Sequence, residues 1–210
     1  QVMIHEDAEI ENMHSLDLIK IKAIPDDTMM NTIEGTVKAI VCTHGHLDHI
    51  GAIPKLAHRY NAPIISTPYA TELIRQQIEG EKKFGVANRL VPLRAGQKFT
   101  ISPTLVLEFV RTQHSIIDTV TPVLHTPHGA VVYACDFKFD RTPVIGEPPD
   151  FARMRQIGKE GVLALIVEST YIHRPGRCPS ERIARDLVRD VITSFEDDKN
   201  GIVVSTFSSH

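Results

Sequence analysis

His44-Gly45-His46-Leu47-Asp48-His49 sets three imidazoles and a carboxylate within six consecutive positions. Directly before it, Val37-Lys38-Ala39-Ile40-Val41-Cys42 is a short apolar run rich in β-branched residues and reads as a buried strand. The histidines therefore lie on a strand-to-helix turn, where neighbouring side chains can converge on one point. Imidazole nitrogen suits zinc, and the carboxylate adds a harder oxygen donor. Four ligand-type groups exceed what one catalytic zinc takes from a short segment, so the stretch predicts two metals. In such sites the ions lie roughly 3.5–4 Å apart and can clamp a hydroxide between them.

Outward from this turn, strands and helices alternate. Ile50 to Tyr60 has helical spacing, with Ile53, Leu56 and Ala57 on one face. Pro63 to Ser66 reads as a strand, and Thr67 with Pro68 opens a helix to about Ile78. Leu105 to Val110, Thr119 to His125 and Ala130 to Cys135 read as strands, the last two joined by a hairpin turn at Thr126-Pro127-His128-Gly129. A proline-rich stretch from Arg141 to Asp150 precedes a helix from about Phe151 to Ile157, and Val162 to Val167 is a fully apolar strand. Ser180 caps a helix to about Phe195, with Leu187, Val188, Val191, Ile192 and Phe195 as its apolar stripe, and Gly201 to Thr206 reads as a final strand. The class is α/β with an antiparallel middle.

The 210 residues are 42% hydrophobic, enough to bury a core, and carry a formal charge of −3. That balance argues against a protein held to nucleic acid by a broad basic surface, though not against a locally positive groove. Cys42, Cys135 and Cys178 form no CxxC pair or disulfide framework, which suits a reducing cytoplasm. No apolar run approaches the length of a membrane span, and no signal peptide is visible. The chain opens at Gln1 and stops just after a strand-like run, so it reads as a fragment.

The pattern HxHxDH resembles the signature of the metallo-β-lactamase superfamily. The resemblance implies an αββα sandwich, and it directs attention downstream to His114 and Asp136, each following a strand. By that analogy His44, His46 and His114 hold one zinc, Asp48 and His49 hold the other, and Asp136 bridges them. Catalytic work falls to Asp48, His49 and Asp136. His5, His14, His58, His125, His128 and His173 lack ligand-like company and read as surface or structural. Cys135 precedes Asp136, and strand alternation turns it toward the core.

Longer stretches narrow the resemblance to the ribonuclease J family of β-CASP enzymes, on its archaeal side. They are Thr43 to Pro54 (THGHLDHIGAIP), Asp136 to Asp140 (DFKFD), Glu168-Ser169-Thr170, and Thr206 to His210 (TFSSH). The resemblance implies a metallo-β-lactamase domain over 1–160 without its first strands, and the start of a β-CASP domain over 161–210. It implies hydrolysis of RNA, processively from a 5′ monophosphate, by two zinc ions or by manganese. It makes Glu168 an acceptor behind a metal-ligating histidine, and Ser209 a contact for the 5′ phosphate. A late histidine and the general acid belong beyond residue 210, as do surfaces for a homo-oligomer. Arg174, Arg177, Arg182, Arg185 and Arg189 could line an RNA path, but Glu181, Asp186 and Asp190 between them favour a solvated, ion-paired helix face. Three alternatives stay open: a thioesterase of the glyoxalase II type, an mRNA 3′-processing endonuclease, and a weakly active piece that binds RNA or dimerises.

Overall fold

The computed structural model describes residues 13–195 and 201–206. Its strands form two sheets. The first is parallel, with β1 (Ile40–Val41), β2 (Ile64–Ser66) and β3 (Leu90–Pro92) in that order. The second runs β4 (Lys98–Ser102), β5 (Leu105–Arg111), β6 (Val120–Thr126) and β7 (Gly129–Ala134) antiparallel, and β8 (Val162–Val167) lies parallel to β7.

Side-chain alternation along the strands makes the layers. On β2, Ile64 packs with Cys42, Ile50, Ile53 and Ile74 on the outer face of the first sheet. Its neighbour Ile65 joins Leu93, Leu107, Phe109 and Val120 in the core between the sheets. The helices of the outer face are α2 (Leu47–Ile50), α3 (Ile53–Leu56) and α4 (Pro68–Gly80), the short α1 (Ser15–Lys20) packing nearby through Leu18. On the far side, α5 (Phe151–Glu160) sets Ile157 and Met154 against Val110, Val123 and Ala130. The order is helix, sheet, sheet, helix: the αββα sandwich.

One polar group sits beneath α5. Glu108 points outward from β5 and is only 3% exposed. Arg153 of α5 grips it with two bonds of 2.6 and 2.8 Å, and His125 of β6 adds a third at 2.6 Å. Burial alone would raise this carboxyl, but these bonds and Lys98 overcome it and hold it at about 2.

Several expectations need correction. The first strand is shorter than 37–42, although Ile40 N–H to Pro63 and Cys42 N–H to Ile65 carry its ladder onward. The helix expected over Ile50 to Tyr60 is broken into α3 and a 3₁₀ turn at Ala57–Arg59. Strands β3 and β4 and helix α1 carry no pattern that the sequence reading detected. Val162 to Val167 forms a strand, but an edge strand, and its apolar residues are exposed among the described residues, α5 touching it only in part. The expected boundary at 160/161 falls just before β8, which shares a sheet with β4–β7. Residues 201–206, read as a final strand, form none among the described residues.

Helix α6 (Glu181–Thr193) starts at Ser180, whose hydroxyl accepts from Arg182 N–H as an N-cap. The DFKFD stretch anchors it. Asp140 accepts from Ser180 Oγ at 2.9 Å and from Glu181 N–H at 2.8 Å, and Lys138 pairs with Glu181. Its apolar stripe, Leu187, Val188, Val191, Ile192 and Phe195, is exposed. On the same helix Arg185 and Arg189 pair with Asp186 and Asp190, the ion-paired face read from the sequence. No described helix is long and apolar enough to cross a membrane.

Candidate metal centre

Parallel strand β1 ends at Val41, and the chain turns through Thr43 to His46 into α2. Glycine suits position 45, because a Cβ there would lie 2.6 Å from Leu73 Cδ1 of α4 and the leucine would have to shift. The absent side chain lets α4 press against the loop and fixes the two flanking imidazoles. His114 arrives three residues beyond β5, and Asp136 two residues beyond β7.

These residues meet. His46 Nδ1 lies 3.1 Å from both His44 Nε2 and His114 Nε2. Asp136 Oδ2 is 3.2 Å from His49 Nε2, 3.4 Å from His114 Nε2 and 3.9 Å from His44 Nε2. Asp48 Oδ2 is 3.5 Å from His49 Nε2. Ligand atoms of His44, His46, His114 and Asp136 all fall within 4.8 Å of one another. His49 and Asp136, 87 positions apart, thus meet in one cluster.

The donor chemistry fits a metal. His44 is fully buried, and burial, reinforced by His49, His114 and His46, pushes its pKa down to about 2. It stays neutral, the form in which imidazole binds a cation. Thr43 Oγ1 lies 2.8 Å from His44 Nδ1. With Nδ1–H donating to that hydroxyl, Nε2 keeps its lone pair for the cluster.

Cys135 departs from the sequence expectation. Its sulfur faces the site, 3.6 Å from His49 Nδ1, and forms a second candidate group with His44 and His49. Alternation does not apply because β7 ends at Ala134, and both Cys135 and Asp136 lie on the loop that follows. The His49 pKa is raised, first by the Cys135 bond, against burial, and then by Asp48 and Asp136. The Cys135 thiol is raised by burial, but its bonds with His49 and the Asp136 backbone N–H prevail, and the net direction is down.

Other residues lie outside the cluster. Glu168 accepts from Thr170 N–H and lines the same cavity as His114 and Asp136. Its described bonds do not reach a histidine. Ser209 and the rest of the 207–210 stretch lie outside the described residues, as does His5. His125 bonds Glu108, His58 stacks on Phe84, and His14 caps α1. These are the structural roles that the sequence indicated.

A family model for the metallo-beta-lactamase superfamily matches residues 33–177. Over all 210 residues the chain is 55% identical to ribonuclease J of Methanocaldococcus jannaschii, covering 47% of that protein. It is 45% identical to ribonuclease J of Pyrococcus abyssi, covering all of this chain and 46% of that one. Against ribonuclease J of Synechocystis sp. the identity is 32%, with 95% of this chain and 30% of the relative covered. The ribonuclease J resemblance is thus shown as similarity, and the two archaeal proteins stand nearer than this bacterial one. The chain spans less than half the length of these relatives. A crystal structure of a protein of unknown function from Enterococcus faecalis V583 superposes with a TM-score of 0.58 at 17% identity. It covers 91% of this chain and 49% of that one, and supports the fold alone. By its layers, its histidine cluster and this match, the chain belongs to the metallo-beta-lactamase superfamily.

Proposed function

We propose that this chain carries the metal-binding half of a two-zinc ribonuclease that hydrolyses RNA phosphodiesters, 5′ to 3′ from a monophosphate end. One observation supports the two-metal reading. Asp136 Oδ2 lies within 3.9 Å of Nε2 of His49, of His114 and of His44, so one carboxylate is within reach of both proposed donor sets. His44, His46 and His114 would hold one ion, Asp48 and His49 the second, and Asp136 would contact both. Bound there, divalent ions supply Lewis acidity toward a phosphoryl oxygen and offset negative charge as it develops.

The chain's own groups orient these donors. Thr43 sets the His44 tautomer, and Cys135 holds His49 by Nδ1 so that Nε2 faces Asp136. Asp48, a third exposed, is the group placed to accept a proton from an attacking water. Glu168 stands on the cavity wall as a candidate acceptor behind these donors, and Ser209 as a candidate 5′-phosphate contact.

The RNA substrate is supported by the similarity to three proteins named ribonuclease J. Manganese is the alternative metal, since imidazole and carboxylate together accept both. We place the opening of a β-CASP domain over 161–210, the protein in the cytoplasm, and any homo-oligomer surface outside these residues.

The test is cleavage of 5′-monophosphate RNA by the full-length protein, before and after chelation, with product sizes resolved. Mononucleotides whose release stops with chelator and with Asp48→Ala are expected. No cleavage by protein holding two tightly bound zinc ions would leave the metal site and sink the RNA substrate. Thioesters and small phosphodiesters would then be assayed.

A further inference from the structure

A cavity of about 810 Å³ opens from the ligand cluster. His114 and Asp136 line it, and so do Phe139, Arg141, Tyr171 and Arg177. Phe139 is braced by two rings: Phe137 at 5.0 Å between centroids, tilted, and Phe151 edge-on at 5.5 Å. It is nevertheless 59% exposed. A ring held by two neighbours and left open to a cavity has the make-up of a stacking platform rather than a core residue.

Tyr171 is the second ring of this wall, 63% exposed, with the Arg174 guanidinium over one face at 4.6 Å and the other left for a base. Its φ of +80° lies in the left-handed region, where a bulky side chain is rarely found, and such outliers gather at functional sites. The cations of the wall are also available. Arg141 lies over the Phe151 ring at 5.0 Å, and Arg177 makes no ion pair among the described residues. They differ in this from Arg185 and Arg189 of α6, which are tied to aspartates.

We propose that Phe139 and Tyr171 form a stacking subsite for an unpaired nucleobase beside the scissile phosphate, with Arg141 and Arg177 taking the adjoining backbone phosphates. The inference rests on the ribonuclease reading above and assigns substrate contacts to that site. Aromatic faces accept any base, and guanidinium groups serve the backbone, so the subsite holds RNA without reading its sequence.

Two substrates test it: a 5′-monophosphate RNA, and the same oligomer lacking bases at the nucleotides flanking the scissile bond. Fluorescence anisotropy with chelator present gives Kd for the full-length protein, and the metal-loaded protein gives KM and kcat. Phe139→Ala is expected to weaken RNA binding and raise KM by roughly tenfold to a hundredfold, the scale of one stacked base. Phe139→Trp should restore both. Removing the bases should weaken binding to the wild type by a similar factor, and the two losses should not multiply. Tyr171→Ala, an exposed position, gives the same comparison without touching the packing of Phe139 on Phe137 and Phe151. Equal losses on both substrates, or none, would overturn the subsite. No RNA cleavage by metal-loaded wild type would overturn the ribonuclease reading beneath it, a separate result.

Discussion

Replacing Arg153 with methionine should destabilise the protein more than any surface change, because it strands Glu108. The carboxylate is 3% exposed, and Arg153 supplies two of its short bonds. Breaking a buried pair by removing one partner costs about 3–5 kcal/mol where the remaining charge is left bare, and His125 and Lys98, which still face Glu108, hold the loss toward the lower end. The carboxyl's own pKa reflects the same pairing, together with His125 and Lys98. Its pKa falls from an ordinary 4.5 to about 2, a gap worth about 3 kcal/mol. A depressed pKa sets the sign. The stabilisation is complete above pH 4.5, shrinks as the unfolded chain takes up the proton below that, and is gone once pH falls through about 2. Urea unfolding of the full-length protein at pH 7 should show the loss for Arg153→Met. Glu108→Gln with Arg153→Met should recover most of it, because no buried charge remains. Unfolding between pH 5 and 3 should fall more steeply for wild type than for the Glu108→Gln variant. A loss below 1 kcal/mol for Arg153→Met, or a double variant worse than the single one, would refute the reasoning.

Thr43→Val removes the hydroxyl that orients His44; divalent-ion affinity, read by competition with a chromophoric chelator, should drop about 10- to 100-fold with little change in thermal stability. Asp136→Asn, which keeps the shape but loses the charge between the two donor groups, should lower the bound zinc per chain measured by mass spectrometry. Gly45→Ala places a methyl 2.6 Å from Leu73 Cδ1 and should cost about 1–3 kcal/mol of overpacking, with Leu73→Ala in the same chain relieving part of it in thermal unfolding. Asp140→Ala removes the acceptor of Ser180 and Glu181 and should speed hydrogen exchange at the start of α6 while leaving β5 to β7 protected.

The contiguous half of the candidate metal centre was legible from residues alone. Three histidines and an aspartate within one turn after a strand are held close by covalent geometry, whatever the rest of the fold does. His114 and Asp136 were reached only through resemblance and order along the chain, because nothing local distinguishes a ligand at a strand end from an ordinary loop residue. The long strands β5 to β7 and the helices α4 to α6 were equally legible, since their periodicity and caps are written in neighbouring residues. Of the short parallel strands, β1 and β2 were read from their apolar runs and β3 was not, because Leu90–Pro92 is too short to show a period.

What tertiary structure alone decided involves partners distant in sequence. The Glu108–Arg153 pair joins residues 45 positions apart, and no pattern in either segment announces it. Cys135 faces His49 because β7 stops one residue earlier than the sequence suggested, which cancels the alternation argument. The apolar run of β8 looked buried, yet it lies at a sheet edge, exposed among the described residues. Composition determines that a strand will form and that its side chains disfavour water. Whether another layer meets them depends on long-range packing, and a single chain segment carries no record of that.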